Sequence, residues 1–294
     1  MGAKPGFTGQ RYRFSFFDIL VYGSMLFSLF VCIVPFLYMI ALSFSSATEI
    51  LNNRVGLWPR GFNTKAYQTI FNFPNFFMAY GNTLFYTSFG TAIALACTIL
   101  FAYPLSKSFL KGRKFLIKLV IFSMFFSGGL IPTYLLVANL GLIYTPLAIL
   151  LPFAIVPFNL IIMISFLKGV PAEIEEAAII DGLGYYGILA GIVLPLSTAA
   201  LATIGLYYAV FFWNDWFNAL IYLRSKQYPV MLFLRSIVAG TMMVGEGAGS
   251  AESANLGIAI KAAVIIVSTL PIIILYPLLQ RFFIAGLTVG SIKG

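Results

Sequence analysis

Histidine is absent from the 294 residues, cysteine occurs twice, and only 9% of positions are charged. Each shortage removes a class of function. With no histidine, and no acidic pair inside the long apolar stretches, the chain lacks an obvious acid–base set for a membrane enzyme acting on lipid or glycan. Cys32 and Cys97 both lie in apolar runs, so they read as small packing residues rather than metal ligands or disulfide partners. A soluble domain usually devotes about a quarter of its residues to charge. At 61% hydrophobic against 9% charged, this chain has lipid as its main solvent. An all-α polytopic membrane protein is predicted.

What is present is a positive excess and a series of long apolar runs. Eighteen Lys and Arg against nine Asp and Glu give a net charge of +9. The basic residues sit mostly in short segments between the runs, which fits orientation in a membrane and not nucleic-acid binding. The 17% aromatic content agrees, since Trp and Tyr gather at membrane interfaces. Lys4, Arg11 and Arg13 precede an apolar run, as in a signal peptide. No charge follows from Ile19 to Thr48, however, which is too long for an h-region of roughly 7–15 residues. An uncleaved spanning anchor is expected.

A crossing helix needs about 20 apolar residues, and six such spans are predicted. The first is Ile19–Leu42 and the second Phe76–Tyr103, closed by Lys107, Lys111, Arg113, Lys114 and Lys118. Between them, Phe44 to Pro74 carries Glu49, Arg54, Arg60 and Lys65 and reads as an ordered extramembrane segment. The uncharged stretch Leu119–Leu167 is too long for one span. Its break is placed at Ala138–Pro146, where Asn139, Gly141 and Pro146 disfavour helix. A fifth span runs from Leu194 to about Phe212 and a sixth from Leu256 to Leu279, with a polar, Gly-rich excursion over Arg224–Ser253 between them. Six spans put both termini on one side, and the Lys and Arg of the short loops make that side the cytoplasm.

The acidic stretch between the fourth and fifth spans predicts a short cytoplasmic helix at about 171–182. Pro171 suits a first turn, Glu173, Glu175 and Glu176 complement its positive end, and Gly182 supplies a stop. Ile174, Ala177, Ala178 and Asp181 share one side of it; Glu173, Glu176 and Ile180 share another. Small alanines permit close approach to a second body, and a short rigid helix between two spans could transmit force.

The continuation, EAAIIDGLGYYGILAGIVLPLS from Glu176 to Ser197, resembles the EAA signature of permeases in binding-protein-dependent ABC importers. EILNNRVGLWPRGFNTKAYQTIF, then GNTL at Gly81–Leu84, and the ending QRFFIAGLTVGSIKG resemble carbohydrate-uptake permeases of the maltose-importer MalG type, so the likeness covers almost the whole chain. FSGGLIPTYLLVANLGLI (Phe126–Ile143) is similar to a branch handling complex oligosaccharides, including the alginate importer's permeases.

The resemblance implies a multi-pass protein of the bacterial inner membrane, with a cytoplasmic segment over 1–18, a transmembrane domain over 19–282 and a cytoplasmic tail over 283–294. It implies a second homologous permease, two ATPase subunits, an extracytoplasmic solute-binding protein and an oligosaccharide substrate as partners, besides lipid. Glu173, Glu176, Ala177, Ala178, Asp181 and Gly182 would dock on an ATPase, and the tail, with Gly286, Leu287, Gly290 and Lys293, would reach the ATPase dimer. The chain has no G-x-x-x-x-G-K-S/T phosphate loop. It would be no enzyme and hold no metal or cofactor itself, leaving ATP and magnesium to the ATPase. The Gly-rich loop with Gly245, Gly247 and Gly249 matches a loop that, in the maltose system, reaches into the binding protein's sugar site.

Other residues keep two readings. Trp213, Asn214, Asp215 and Trp216 are substrate-path candidates, set against an interfacial aromatic belt. Thr198, Ala202, Gly205 and Ala209 read as a helix-packing stripe. Arg224, Lys226 and Arg235 would attract an acidic oligosaccharide, although contact with a binding protein or lipid headgroups explains them equally. Lys261 either snorkels or faces the path. An ion-coupled secondary transporter would need a buried ionisable relay, and only Lys261 lies clearly inside a span. A peptide or amino-acid permease of the same superfamily is opposed by the MalG-like ending and outer segment.

Overall fold

The computed structural model of the chain describes residues 16–239, 257–275 and 277, and no strand occurs among them. Two compact units are present: Met1–Tyr67 with Gly249–Ala263, and Gln68–Ala248 with Val264–Gly294.

In the first unit, α1 (Phe16–Ser43) is apolar on every side and bare along most of its length, with Phe16 81% exposed. A helix that is hydrophobic all round, without protein covering it, has lipid as its surroundings. It becomes buried only at Ala41, Leu42 and Ser43. The chain then folds back through α2 (Ala47–Leu51), which opens on Ser46, whose Oγ accepts the Glu49 N–H. The returning segment is tied down where Arg60 N–H donates to Ser45 Oγ (3.1 Å) and Asn63 N–H donates to Phe44 O (2.8 Å). Gly61 has φ +62°, and a Cβ on it would stand 2.5 Å from Ser46 Oγ, so only glycine fits this crossing. The Phe44 ring stacks with those of Phe62 and Tyr67. Burial pushes the Tyr67 hydroxyl pKa up, while its hydrogen bond with Ser43 works against that rise. The extramembrane segment expected here is ordered, as its polar residues suggested. It leads into α3 (Lys65–Phe71).

The second unit is built on α4 (Phe76–Ser106). After it come α5 (Arg113–Phe125), α6 (Leu130–Asn139), the single turn α7 (Leu147–Leu150) and α8 (Pro157–Leu167). Next are α9 (Ala172–Ile180), α10 (Tyr185–Leu196), α11 (Thr198–Asn214), α12 (Phe217–Tyr222) and α13 (Val230–Val238). The last described helix, α14 (Gly257–Leu275), begins in residues of the first unit.

The core forms where α4 packs against α11 and α8. One side of α4 is a buried row of Thr83, Tyr86, Gly90, Ala94, Thr98 and Ala102, small enough at most positions for helix backbones to close on one another. The facing row on α11 is Ala200, Ile204, Tyr208 and Phe212. Of the stripe read from Thr198, Ala202, Gly205 and Ala209, Thr198 is exposed and the other three are half-buried, with Gly205 against Leu95 of α4, so the stripe flanks this row. The small residues lie on α4, leaving room for the aromatic rings of α11. Tyr208 OH lies 2.7 Å from Thr98 Oγ1 and accepts the Val156 N–H at 3.0 Å, joining both helices to the lead-in of α8.

Among the described residues, three helices are long and apolar enough to cross a membrane alone: α1, α4 and α14. Three further spans arise if each bent pair is counted as one: α5 with α6 (115°), α8 with α9 (73°) and α10 with α11 (85°). The third span is therefore not the continuous helix expected before Ala138. Besides the break at 140–146, α5 and α6 are separated at 126–129, where Gly129 has φ +86° and Pro132 then sits in the first turn of α6. The long helix of the fifth span, α11, starts at Thr198 and not Leu194. Leu194–Leu196 close α10, whose middle widens into a π-helical turn at Leu189–Val193 just before Pro195.

Candidate functional site

The acidic EAA stretch folds as α9, a helix of 9 residues that leaves the line of α8 by 73°. Pro171 precedes it with extended ψ, and Glu173 and Glu175 occupy its first turn, where carboxylates are stabilised by the unpaired N–H groups. Its end is a complete Schellman closure. Gly182, at φ +86°, donates its N–H to Ile179 O, and Leu183 N–H reaches Ala178 O, both at 3.0 Å. The stop read from Gly182 is thus a conformational requirement, since nothing lies within 4 Å of a Cβ built there.

Only two α9 side chains are buried, Glu175 at 8% and Ala178 at 4% exposure. Glu173, Glu176, Ala177, Asp181 and Gly182 are exposed. Ala177 and Ala178, placed together on one side by the sequence reading, therefore differ: Ala177 is exposed and Ala178 is packed into the fold. The exposed part of α9 also carries bare apolar groups, with Ile179 49% and Ile180 85% exposed. Large apolar side chains left uncovered beside carboxylates mark a surface that another body covers.

Sequence reasoning missed the root of this helix. Glu175 forms an ion pair with Lys107, which caps the C-terminal end of α4. Its second oxygen accepts from Tyr103 OH at 3.3 Å, and Lys107 Nζ lies 4.6 Å from the Tyr103 ring centroid. Both charged side chains are mostly covered, at 15% and 11% exposure. The sequence shows each end but not their pairing: Glu175 lies one helical turn before Ala178, and Lys107 is the first charge after the α4 run. The same α4 terminus is closed by Arg113, whose Nε donates to Leu105 O at 2.8 Å.

The second group of candidates lies beyond α11. Trp213 is buried, donates its Nε1–H to Ser268 O at 3.0 Å and meets Tyr80 edge-on. Asn214 turns back to donate to Val210 O. Asp215 Oδ1 accepts the Asn218 N–H (3.2 Å) and the Asn218 Nδ2–H (2.9 Å), closing the first turn of α12. Trp216 is roofed by Arg235, whose Cζ stands 3.4 Å from the ring centroid. Trp213 and Asn214 find partners in their own surroundings, Asp215 keeps its Oδ2 buried without a hydrogen-bond partner, and Trp216 joins an exposed cation.

GNTL also gains an explanation. Asn82 Nδ2 donates to Lys226 O and Tyr228 O, Thr83 Oγ1 accepts the Val230 N–H at 2.7 Å, and Tyr86 OH donates to Gln227 O at 2.9 Å. The loop carrying Arg224 and Lys226 is thereby fastened to α4, and Arg224 lies 4.3 Å from the Tyr144 ring centroid. Lys261 is on the exposed side of α14. Gly245, Gly247, Gly249, Gly286, Leu287, Gly290 and Lys293 lie outside the described residues. Among those described, no three His, Cys, Asp or Glu side chains gather to hold a metal ion.

No protein-family model matches the chain. Protein LplC of Bacillus subtilis (strain 168) is 44% identical over 268 residues, 90% of each protein. From the same organism, the polygalacturonan/rhamnogalacturonan transport system permease protein YtcP is 42% identical over 284 residues, 95% of this chain and 98% of that one. A solved bacterial ABC transporter, involved in the import of the acidic polysaccharide alginate, contains a chain superposing with a TM-score of 0.83 and 32% identity, over 92% of this chain and 99% of that chain. With the helical architecture, the apolar spans and the closed EAA helix between them, these likenesses place the chain in the family of permeases of binding-protein-dependent ABC sugar importers.

Proposed function

We propose that this permease forms half of the pathway for an oligosaccharide, paired with a second homologous permease and driven by two ATPase subunits that bind the ATP and magnesium. In this reading α9 lies on the cytoplasmic side with both termini, 19–282 is the transmembrane domain, and the chain itself performs no catalysis. The observation that carries the reading is α9: rooted through Glu175 and Ala178, sharply terminated at Gly182, and offering Glu173, Glu176, Asp181 and Ile180 outward. An acidic edge beside an apolar tip suits a cleft lined with cations and apolar side chains on an ATPase. Nucleotide then drives transport by binding one conformation of the assembly more tightly than the other. The tail with Gly286, Leu287, Gly290 and Lys293 is a second ATPase contact, and the Gly245–Gly249 loop meets the solute-binding protein that delivers the sugar.

The substrate we assign is an acidic oligosaccharide. Two relatives support this class by what they carry: polygalacturonan and rhamnogalacturonan for one, alginate for the other. Arg224, Lys226 and Arg235 supply positive charge, with Arg224 and Arg235 set over Tyr144 and Trp216. Reconstitution with all partners in vesicles, supplied with neutral and uronate oligosaccharides, tests both levels. ATP-dependent uptake favouring uronates is expected. Preference for neutral sugars would overturn the substrate class, and no ATP-dependent uptake of any sugar would overturn the whole reading.

A further inference from the structure

We infer that the Glu175–Lys107 pair is a positioning linkage that carries the displacement of α9 into α4, so that ATPase closure moves the bundle. This rests on the reading of α9 as the ATPase-docking helix. Little else holds α9. Of its side chains only Glu175 and Ala178 are buried, and the alanine methyl offers contact without direction. Glu175 instead meets three features of one helix end: the Lys107 ammonium, the Tyr103 hydroxyl and, through Lys107, the Tyr103 ring.

These contacts close on themselves. Tyr103 and Lys107 are four residues apart, one turn along the α4 terminus, which sets the ammonium beside the ring before the carboxylate arrives. Each carboxylate oxygen then has its own donor, so Glu175 can neither slide nor rotate without breaking one of them. Charges this well covered are weakly screened by salt, and removing one partner leaves the other buried and unpaired. The linkage therefore resists pull and push alike. It ends on the helix against which α11 and α8 pack, so a shift of α9 reaches the centre of the second unit.

The test uses the assembled importer with its ATPase subunits and binding protein, and reads sugar molecules taken up per ATP hydrolysed. Lys107→Met and Glu175→Gln are expected to retain ATPase turnover while that ratio falls by about tenfold, since a buried half-pair is expelled from its site. Tyr103→Phe keeps the ring and loses one hydrogen bond, so a fall of about two- to threefold is expected. The reversed pair, Glu175→Lys with Lys107→Glu, should recover most of the normal ratio, which a general loss of structure would not. Unchanged ratios in the single variants, or uptake and ATPase activity falling in strict proportion, would overturn the inference. Should the single variants fail to accumulate, the reversed pair decides. Recovery of both assembly and ratio supports the linkage, whereas a collapsed ratio or continued failure to assemble sinks it. A separate crosslink from Ala177→Cys to an ATPase subunit in the otherwise unaltered importer keeps the two ideas apart. Its absence defeats the docking of α9, and its presence with unchanged ratios defeats the linkage alone.

Discussion

Gly90 of α4 faces Phe212 of α11 so closely that a Cβ on the glycine would stand 2.8 Å from the ring. No ordinary side-chain contact is that short, so α4 and α11 owe their separation to the missing methyl. Gly90→Ala should therefore lower stability by about 1–3 kcal/mol through overpacking, seen as a reduced Tm of the purified protein. Gly23→Ala on α1, where nothing lies within 4 Å, should leave Tm unchanged.

Gly182→Ala forces an L side chain to φ +86° and should cost about 1–2 kcal/mol at the α9 terminus. Glu176→Gln removes an outward carboxylate without touching the root of the helix. Both variants should insert into the membrane normally and lose ATP-dependent uptake in reconstituted vesicles. Normal uptake in both would remove α9 from coupling.

Purified by itself, the chain should hydrolyse no ATP. A phosphate-release assay checks this against the same protein assembled with its ATPase subunits, where turnover should appear.

Neutralising Arg224, Lys226 and Arg235 together should slow uptake of a uronate oligosaccharide at low salt. The difference should narrow as ionic strength rises, because exposed charges are screened beyond about 10 Å at 0.1 M salt. A neutral oligosaccharide should enter at the same rate before and after the change.

Asn82→Ala should loosen the loop over 223–229 by withdrawing a donor from the carbonyls of Lys226 and Tyr228. Faster hydrogen exchange in that loop, with α4 itself unchanged, is the expected signature.

The spans were legible where one physical rule acted alone. α1 and α4 are long uninterrupted apolar runs ended by polar residues, and length against bilayer thickness was enough to find them. α9 was legible to within one or two residues at each end, because Pro171 and Gly182 act on the local backbone whatever surrounds them. The division at 126–129 was visible as adjacent glycines followed by Pro132, yet hydropathy averages across such a gap and hides it.

Pairings across the fold were not legible. Nothing near Glu175 announces Lys107, 68 residues away, and nothing near Asn82 announces a carbonyl at Lys226. The partners within the Trp213–Trp216 cluster were hidden for a related reason. Polar and aromatic types announce an ability to bind without saying which of their atoms a partner in the same chain already holds, as Ser268 holds Trp213 Nε1 and Asn218 holds one oxygen of Asp215 while the other stays buried without a partner.

The interruption between α5 and α6 constrains where water reaches. Counted from Lys118, the last charge on α5, Phe126 lies only about 12 Å along the axis, against roughly 30 Å of hydrocarbon. Residues 126–129 are all exposed and outside any helix, so in a third span made of α5 and α6 their peptide groups would stand midway through the bilayer without a full set of intrahelical partners. Oil cannot solvate them. In that arrangement this side of the helix pair borders a wet channel or a neighbouring subunit, and bulk lipid is kept from it.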